Sequence, residues 1–261
     1  MDGCRPVFEF LLIPLALVGL LLLISTPLIV IYLFVRLTEE ALEQVGFGHW
    51  HASLMVFGSV LGSLVDIPIH SGVIEGYPSW FLDMMSSMSI AAPVEFHPIV
   101  LSVNLGGCVI PLLISLDILR RGRTSLSKAS AATLLVAIVT YQSALPVANE
   151  GIVLPVYVPP ATAAVVAVIL SRGYRSAPSL AYIGGSMGTL LGADVFNLLT
   201  PGVLPALAPP VVVSRALPLS IGGAGVFDGI FLTGILAVLL ASLVVCILGG
   251  ATCRRNIPLL R

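Results

Sequence analysis

Asp66, Asp194 and Asp228 each stand inside a long apolar run, where an ionised carboxylate has little water to solvate it. Such a residue costs about 2.5–3.5 kcal/mol on membrane-insertion scales, and its presence marks a functional site by default. No Lys or Arg lies near enough in sequence to neutralise the three. They must therefore take up protons, accept hydrogen bonds from neutral groups, or coordinate a cation. Two carboxylates in contact would share a proton, which is the chemistry of a proton- or cation-coupled transporter and equally of an aspartyl protease. Asn197 follows Asp194 by three residues and falls on the same helical face. Asn104 precedes Gly106-Gly107 and Pro111 in another apolar run. The candidate binding set is Asp66, Asn104, Asp194, Asn197 and Asp228, with Asp194 and Asp228 as the catalytic pair if the chain is a protease.

Other chemistries find less in the chain. His70 and His97 with Asp66 could frame a metal site, but spacing alone supplies no geometry, so no metal is assigned. No G-x-S-x-G elbow is present, and no cofactor motif is read. The four cysteines include no C-x-x-C pair, which argues against a disulfide framework and makes Cys108 and Cys246 small buried hydrophobes. Asp117, three residues before Arg120-Arg121, is an interfacial counter-charge.

The solvent for these runs follows from composition. Of 261 residues, 57% are hydrophobic and 10% charged, well under half the roughly 25% charge of a soluble domain. With a mean hydropathy of +1.08, most of the surface belongs in lipid. A net charge of −1 offers no field for nucleic acid, and no nucleic-acid partner is expected.

Seven segments reach the roughly 20 residues a spanning helix needs: 7–35, 53–70, 99–119, 129–147, 152–171, 178–199 and 218–250. If they alternate, all Lys and Arg except Arg5 and Arg215 fall on one side: Arg36, Arg120, Arg121, Arg123, Lys128, Arg172, Arg175, Arg254, Arg255 and Arg261. The positive-inside rule then puts the N-terminus outside and the C-terminus in the cytoplasm of a cell-membrane protein. On that topology Asp66, Asp194 and Asp228 all occupy the outer half of the membrane. The run 7–35 is too long for a signal core and has no small-residue cleavage site, so it reads as a retained helix. Residues 36–50 alternate Leu37, Ala41, Leu42 and Val45 with Glu39, Glu40, Glu43 and Gln44, predicting an amphipathic interfacial connector. The outer loop 71–98 carries Trp80, Phe81 and several methionines, suited to headgroup anchoring.

Several spans should be broken. Pro155, Pro159 and Pro160 interrupt the fifth, and the run left after them is only about 15 Å long as a helix. Extended chain is expected at 152–159, packed against Asn104 or the glycine-rich start of the last span. Non-helical backbone at such depth must be shielded by protein or line a wet cavity, an arrangement common around transporter sites. Gly184, Gly188 and Gly192 recur every four residues, a packing stripe for a neighbouring helix. An internal echo pairs GSVLGSLVD (58–66) and LSVNLGG (101–107) with GSMGTLLGAD (185–194) and LSIGG (219–223), which low complexity alone would also produce.

The blocks GADVFNL (192–198), SIGGAGVFDGIFLTG (220–234) and VNLGGCVIPLLISL (103–116) resemble the polytopic membrane-protein family catalogued as domain of unknown function 1614. That resemblance implies a multi-pass membrane protein and carries no activity. A more distant similarity is to intramembrane aspartyl proteases of the presenilin type, which place one Asp on each of two consecutive helices. Here Ala193 precedes the first Asp, Gly225-Val226-Phe227-Asp228 stands where those proteases have G-x-G-D, and Pro205-Ala206-Leu207 lies between the aspartates.

The sequence therefore predicts an all-α transmembrane bundle of about seven spans with broken helices, forming one integral membrane domain over 1–261. The function predicted first is transport of a small solute or cation coupled to carboxylate protonation. The alternatives are intramembrane proteolysis of a membrane peptide by Asp194 and Asp228, and a non-catalytic scaffold in the lipid bilayer.

Overall fold

The computed structural model describes residues 5–75, 84, 87, 96–147, 151–171, 176–207, 217–223 and 229–249. The chain is mostly helical. Helix α1 spans Arg5–Val45 and α2 His49–Gly62; strands β1 (Asp66–Glu75) and β2 (Phe96–Asn104) follow. A π-helical turn, π1 (Leu105–Val109), leads into α3 (Ile110–Arg120). Then come α4 (Leu126–Ser143), β3 (Leu145–Val147), β4 (Gly151–Val153) and α5 (Val158–Leu170). Helix α6 (Ala177–Thr189) runs into a second π-helical turn, π2 (Leu190–Phe196), and the short α7 (Asn197–Leu199). Helix α8 (Val203–Leu207), β5 (Leu217–Ile221) and α9 (Gly229–Gly249) are the last of the described elements.

Among the described residues, two helices are long and apolar enough to cross a membrane, Leu17–Val45 and Gly229–Leu248, while Val158–Leu170 is apolar but shorter. Most of the other apolar runs divide into a helix and an extended or π-helical piece. The run 53–70 is α2 followed by β1; 99–119 is β2, π1 and α3; 152–171 is β4 and α5; and 218–250 is β5 and α9. Pairing of the extended pieces adds two small sheets to the expected all-helical fold. Strands β1, β2 and β5 lie in that order, β1 antiparallel to β2 and β2 parallel to β5, and β3 pairs with β4. A short apolar run looks the same by periodicity whether it is buried strand or helix, and this is why the strands escaped the sequence reading.

In the fifth run, β4 and the residues before Tyr157 are non-helical as expected, but β4 pairs with β3 and not with Asn104 or the last span. Pro159 and Pro160 sit in the first turn of α5, where a missing N–H removes no helical bond.

Helix α6 is the centre of the bundle, with most of its length buried against α4, α5 and α9. Its small residues allow this. A Cβ on Gly184 would lie 3.3 Å from the Cβ of Ala132 in α4, one on Gly188 2.6 Å from that of Val136, and one on Gly185 3.1 Å from that of Ala237 in α9. The stripe Gly184–Gly188–Gly192 is thus the face on which α4 lies, a close approach that dispersion contacts reward.

Residues 36–45 differ from the interfacial connector predicted for 36–50. They continue α1, and Thr38, Ala41, Leu42 and Val45 are buried in the core. Their i, i+3, i+4, i+7 spacing gives one face, which packs on α2, α6 and α9. Two polar side chains beside that face find hydroxyl donors: Glu39, 8% exposed, accepts from Ser53 Oγ at 2.5 Å, and the Gln44 amide oxygen accepts from Ser242. Arg121 stacks over Phe47 at 4.9 Å while pairing with Asp117 at 2.7 Å, the counter-charge role expected of Asp117. Of the outer loop 71–98, β1 and β2 occupy the ends and Trp80 and Phe81 lie outside the described residues. Cys246 is disulfide-bonded, against the expectation of a buried thiol, with its partner outside the described residues.

Candidate functional site

Asp66 opens β1 and stands directly across from Asn104, the last residue of β2. This register brings Asn104 Nδ2 to 3.1 Å from Asp66 Oδ1. The same amide donates to the carbonyl of Ser63 at 2.9 Å, and Asn104 Oδ1 accepts from Gly107 N at 2.9 Å. Asn104 is 2% exposed and caps π1. Its carboxamide therefore joins the end of α2, the start of β1 and the turn into α3. Close packing holds these pieces: a Cβ on Gly106 would lie 2.2 Å from Ser59 O and 2.4 Å from Ser63 N.

The parallel pairing of β2 with β5 brings Ser220 to the same edge. Ser220 Oγ donates to Asp66 Oδ1 at 2.5 Å. A hydroxyl donating to a carboxyl oxygen makes a short bond of this kind. Two residues on, Gly222 adopts φ +81°, and a Cβ there would lie 2.7 Å from Cys108 N. Only glycine fits, and its N–H donates to Asp194 Oδ2 at 2.6 Å. Asp194 is half-buried in π2, whereas Asp66 is exposed.

Segment 220–222 therefore receives two carboxylates, that of Asp66 at the start of β1 on a side-chain hydroxyl and that of Asp194 in π2 on a backbone amide. Of the sequence-predicted residues, Asp66 and Asn104 touch each other, and Asp194 reaches the same segment from the other side. Asn197 does not share the site by contact: it is 4% exposed and donates to the Gly192 carbonyl at 2.9 Å. Asp228 lies outside the described residues, so its place beside Asp194 is not among the contacts seen. The strand register separates His70, opposite Leu101, from His97, opposite Ile74, by about 13 Å along the sheet, which does not bring the two imidazoles together on one metal.

A family model described as "Protein of unknown function (DUF1614)" matches residues 60–240. The chain belongs to this family. The matched stretch of the DUF1614 member holds every contact of the site, from Asp66 to Gly222, and leaves out α1. No curated protein and no solved structure is similar enough to count as a match.

Ser220 and Gly222 were not singled out as ligands by sequence. The signal that could have found them is the internal echo, since Leu101, Ser102 and Val103 pair in register with Leu219, Ser220 and Ile221. The echoed blocks lie side by side as parallel strands, and the aspartates that end the partner blocks, Asp66 and Asp194, both hydrogen-bond to the second of them.

Proposed function

We propose that this DUF1614 protein is an integral protein of the cell membrane in which a carboxylate pair couples movement of a small solute or cation to protonation. The observation that carries the reading is the convergence of Asp66 and Asp194 on residues 220–222, in the extended first part of the last apolar run. Carboxylates that gather on unwound backbone between packed helices are costly to keep and suit a site that loads and unloads an ion. Exposure of Asp66 leaves that carboxylate open to an incoming ion.

In this reading the seven apolar runs are seven crossings within one domain over 1–261, most of them part helix and part extended chain. The N-terminus lies outside and the C-terminus in the cytoplasm, and Asp66, Asn104, Asp194 and Asp228 sit in the outer half. Ser220 and Gly222 join the set as the groups that hold the two carboxylates when no ion is bound.

The test uses purified full-length protein in liposomes that contain a pH-sensitive dye, challenged with a panel of small solutes and monovalent cations. Solute-dependent proton movement that is lost in Asp66→Asn and Asp194→Asn, with both variants folded, supports the proposal. Cleavage of a transmembrane peptide that fails in Asp194→Asn and in Asp228→Asn would favour proteolysis instead. Full activity of both Asn variants in every assay where the parent is active would remove the carboxylates from the working centre.

A further inference from the structure

Asn197 is aimed away from the carboxylate site, yet its bonding pattern explains why Asp194 reaches that site. In a π-helix a backbone N–H reaches the carbonyl five residues back, compared with four in an α-helix. Asn197 is five residues after Gly192, but its backbone N–H donates instead to the carbonyl of Asp194, closing a tight last turn. Its side-chain Nδ2 donates to the Gly192 carbonyl at 2.9 Å. The side chain thus supplies the bond that a continued π-helix would make from the main chain. A carbonyl inside the wide turn is satisfied without the turn having to continue or to tighten.

The consequence is directional. A π turn holds one residue more than the α turn it replaces, so tightening residues 190–196 to α geometry would rotate whatever follows by about 100° around the axis. Asp194 lies within that stretch, and a rotation of this size would take its carboxylate off Gly222. Packing resists sliding at the same place, because a Cβ on Gly192 would lie 2.3 Å from Ala137 O and 2.9 Å from the Cβ of Thr140. The far end of π2 is held separately. Thr200 Oγ1 donates to the Phe196 carbonyl at 2.7 Å, which leaves Tyr141 OH as the donor in its 2.9 Å contact with Thr200 Oγ1.

We infer that Asn197 is a positioning residue for Asp194: by closing π2 through the Gly192 carbonyl, it sets the register that points the Asp194 carboxylate at the Gly222 amide. The inference rests on Asp194 being a working group of the site proposed above, and it adds the residue that aims it.

Amide hydrogen exchange of the full-length protein in lipid nanodiscs tests this, read at Gly222 and, as reference, across α6. In Asn197→Leu, which keeps the bulk and loses the donor, Gly222 should exchange about tenfold faster or more, as loss of a charge-assisted bond implies, while α6 keeps its protection. Asn197→Gln, which retains an amide donor, should restore part of the protection. Asp194→Asn, which leaves Gly222 only a weaker neutral acceptor, should also speed its exchange and serves as the direct comparison. Unchanged exchange at Gly222 in Asn197→Leu beside faster exchange in Asp194→Asn would overturn the positioning role. So would uniform loss of protection through α6, or failure of Asn197→Leu to fold, because either makes Asn197 a determinant of the whole bundle. Uptake plays no part in this readout, so failure of the transport assay and failure of this inference are separate results.

Discussion

Asp194 accepts a hydrogen bond from the backbone N–H of Gly222 at 2.6 Å, so a carboxylate at the end of one apolar helical run is held by the segment that leads into another. The bond requires a π-helical turn on one side and a left-handed glycine on the other. Neither is a default conformation, and each carries a prediction.

Gly222→Ala should be far more damaging than Gly202→Ala. Both glycines have positive φ, +81° and +91°, so both substitutions strain the backbone. At Gly202 nothing lies within 4 Å of an added Cβ, whereas at Gly222 Cys108 N is 2.7 Å away. Thermal unfolding in detergent should place Gly202→Ala about 1–2 kcal/mol below the parent, the cost of the left-handed backbone alone, and Gly222→Ala lower by about 1–3 kcal/mol more. Equal effects would mean that the contact with Cys108 is absent.

The packing stripe should grade in the same way. A Cβ on Gly184 meets the methyl of Ala132 at 3.3 Å, which a small shift relieves, while one on Gly192 meets the backbone oxygen of Ala137 at 2.3 Å. Gly184→Ala should be nearly neutral and Gly192→Ala should lose about 3 kcal/mol or fail to fold. Chemical unfolding of the two variants side by side checks the order.

Asp194→Asn should fold and keep a weaker bond to Gly222, because a neutral carbonyl replaces a charged acceptor at a loss of about 1 kcal/mol. Asp66→Asn should behave similarly, with Ser220 turning its hydroxyl to the amide oxygen. Both should lose the proton coupling assayed in liposomes, since Asn cannot ionise. Circular dichroism and size-exclusion profiles like the parent's, together with flat pH dependence, are the expected pair of results.

Topology supplies a prediction that needs no substrate. Cysteines introduced at Arg123, between the third and fourth apolar runs, and at Asn149, between the fourth and fifth, should be labelled by a membrane-impermeant thiol reagent from opposite faces, the first from the cytoplasm. Labelling of both from one side would contradict the seven crossings.

The parts of this fold legible in the sequence are those with strong local rules. Gly184, Gly188 and Gly192 announced a close helix contact because a four-residue repeat of small side chains has one good use. Pro155, Pro159 and Pro160 announced a break because proline cannot continue a helix, although β3 as the strand partner had no comparable signal. Asp66, Asn104 and Asp194 stood out because a polar group in an apolar run needs a reason. The strands did not, since Ile99–Val103 and Leu217–Ile221 are as apolar as any buried helix. Asn197 was placed on the same helical face as Asp194 on α geometry, and the π turn, which no residue pattern marks, turned it back to Gly192. The polar face of residues 36–45 suggested water, yet Glu39 and Gln44 find Ser53 and Ser242 inside the bundle.

The most direct test of the central claim is a solid-state NMR distance measurement on the full-length protein in lipid bilayers, with carboxyl-labelled Asp and nitrogen-labelled Gly. Asp66→Asn removes one carboxylate and Gly222→Ala removes one nitrogen, so each contact can be assigned. The account predicts a strong dipolar contact between the Asp194 carboxyl carbon and the Gly222 nitrogen, matching the 2.6 Å hydrogen bond, and a weaker, longer-range one from the Asp66 carboxyl to Gly223, whose added Cβ would lie 3.6 Å from Asp66 Oδ1. A spectrum in which neither carboxyl has a glycine nitrogen nearby would show that the two aspartates do not meet at the start of the last helix.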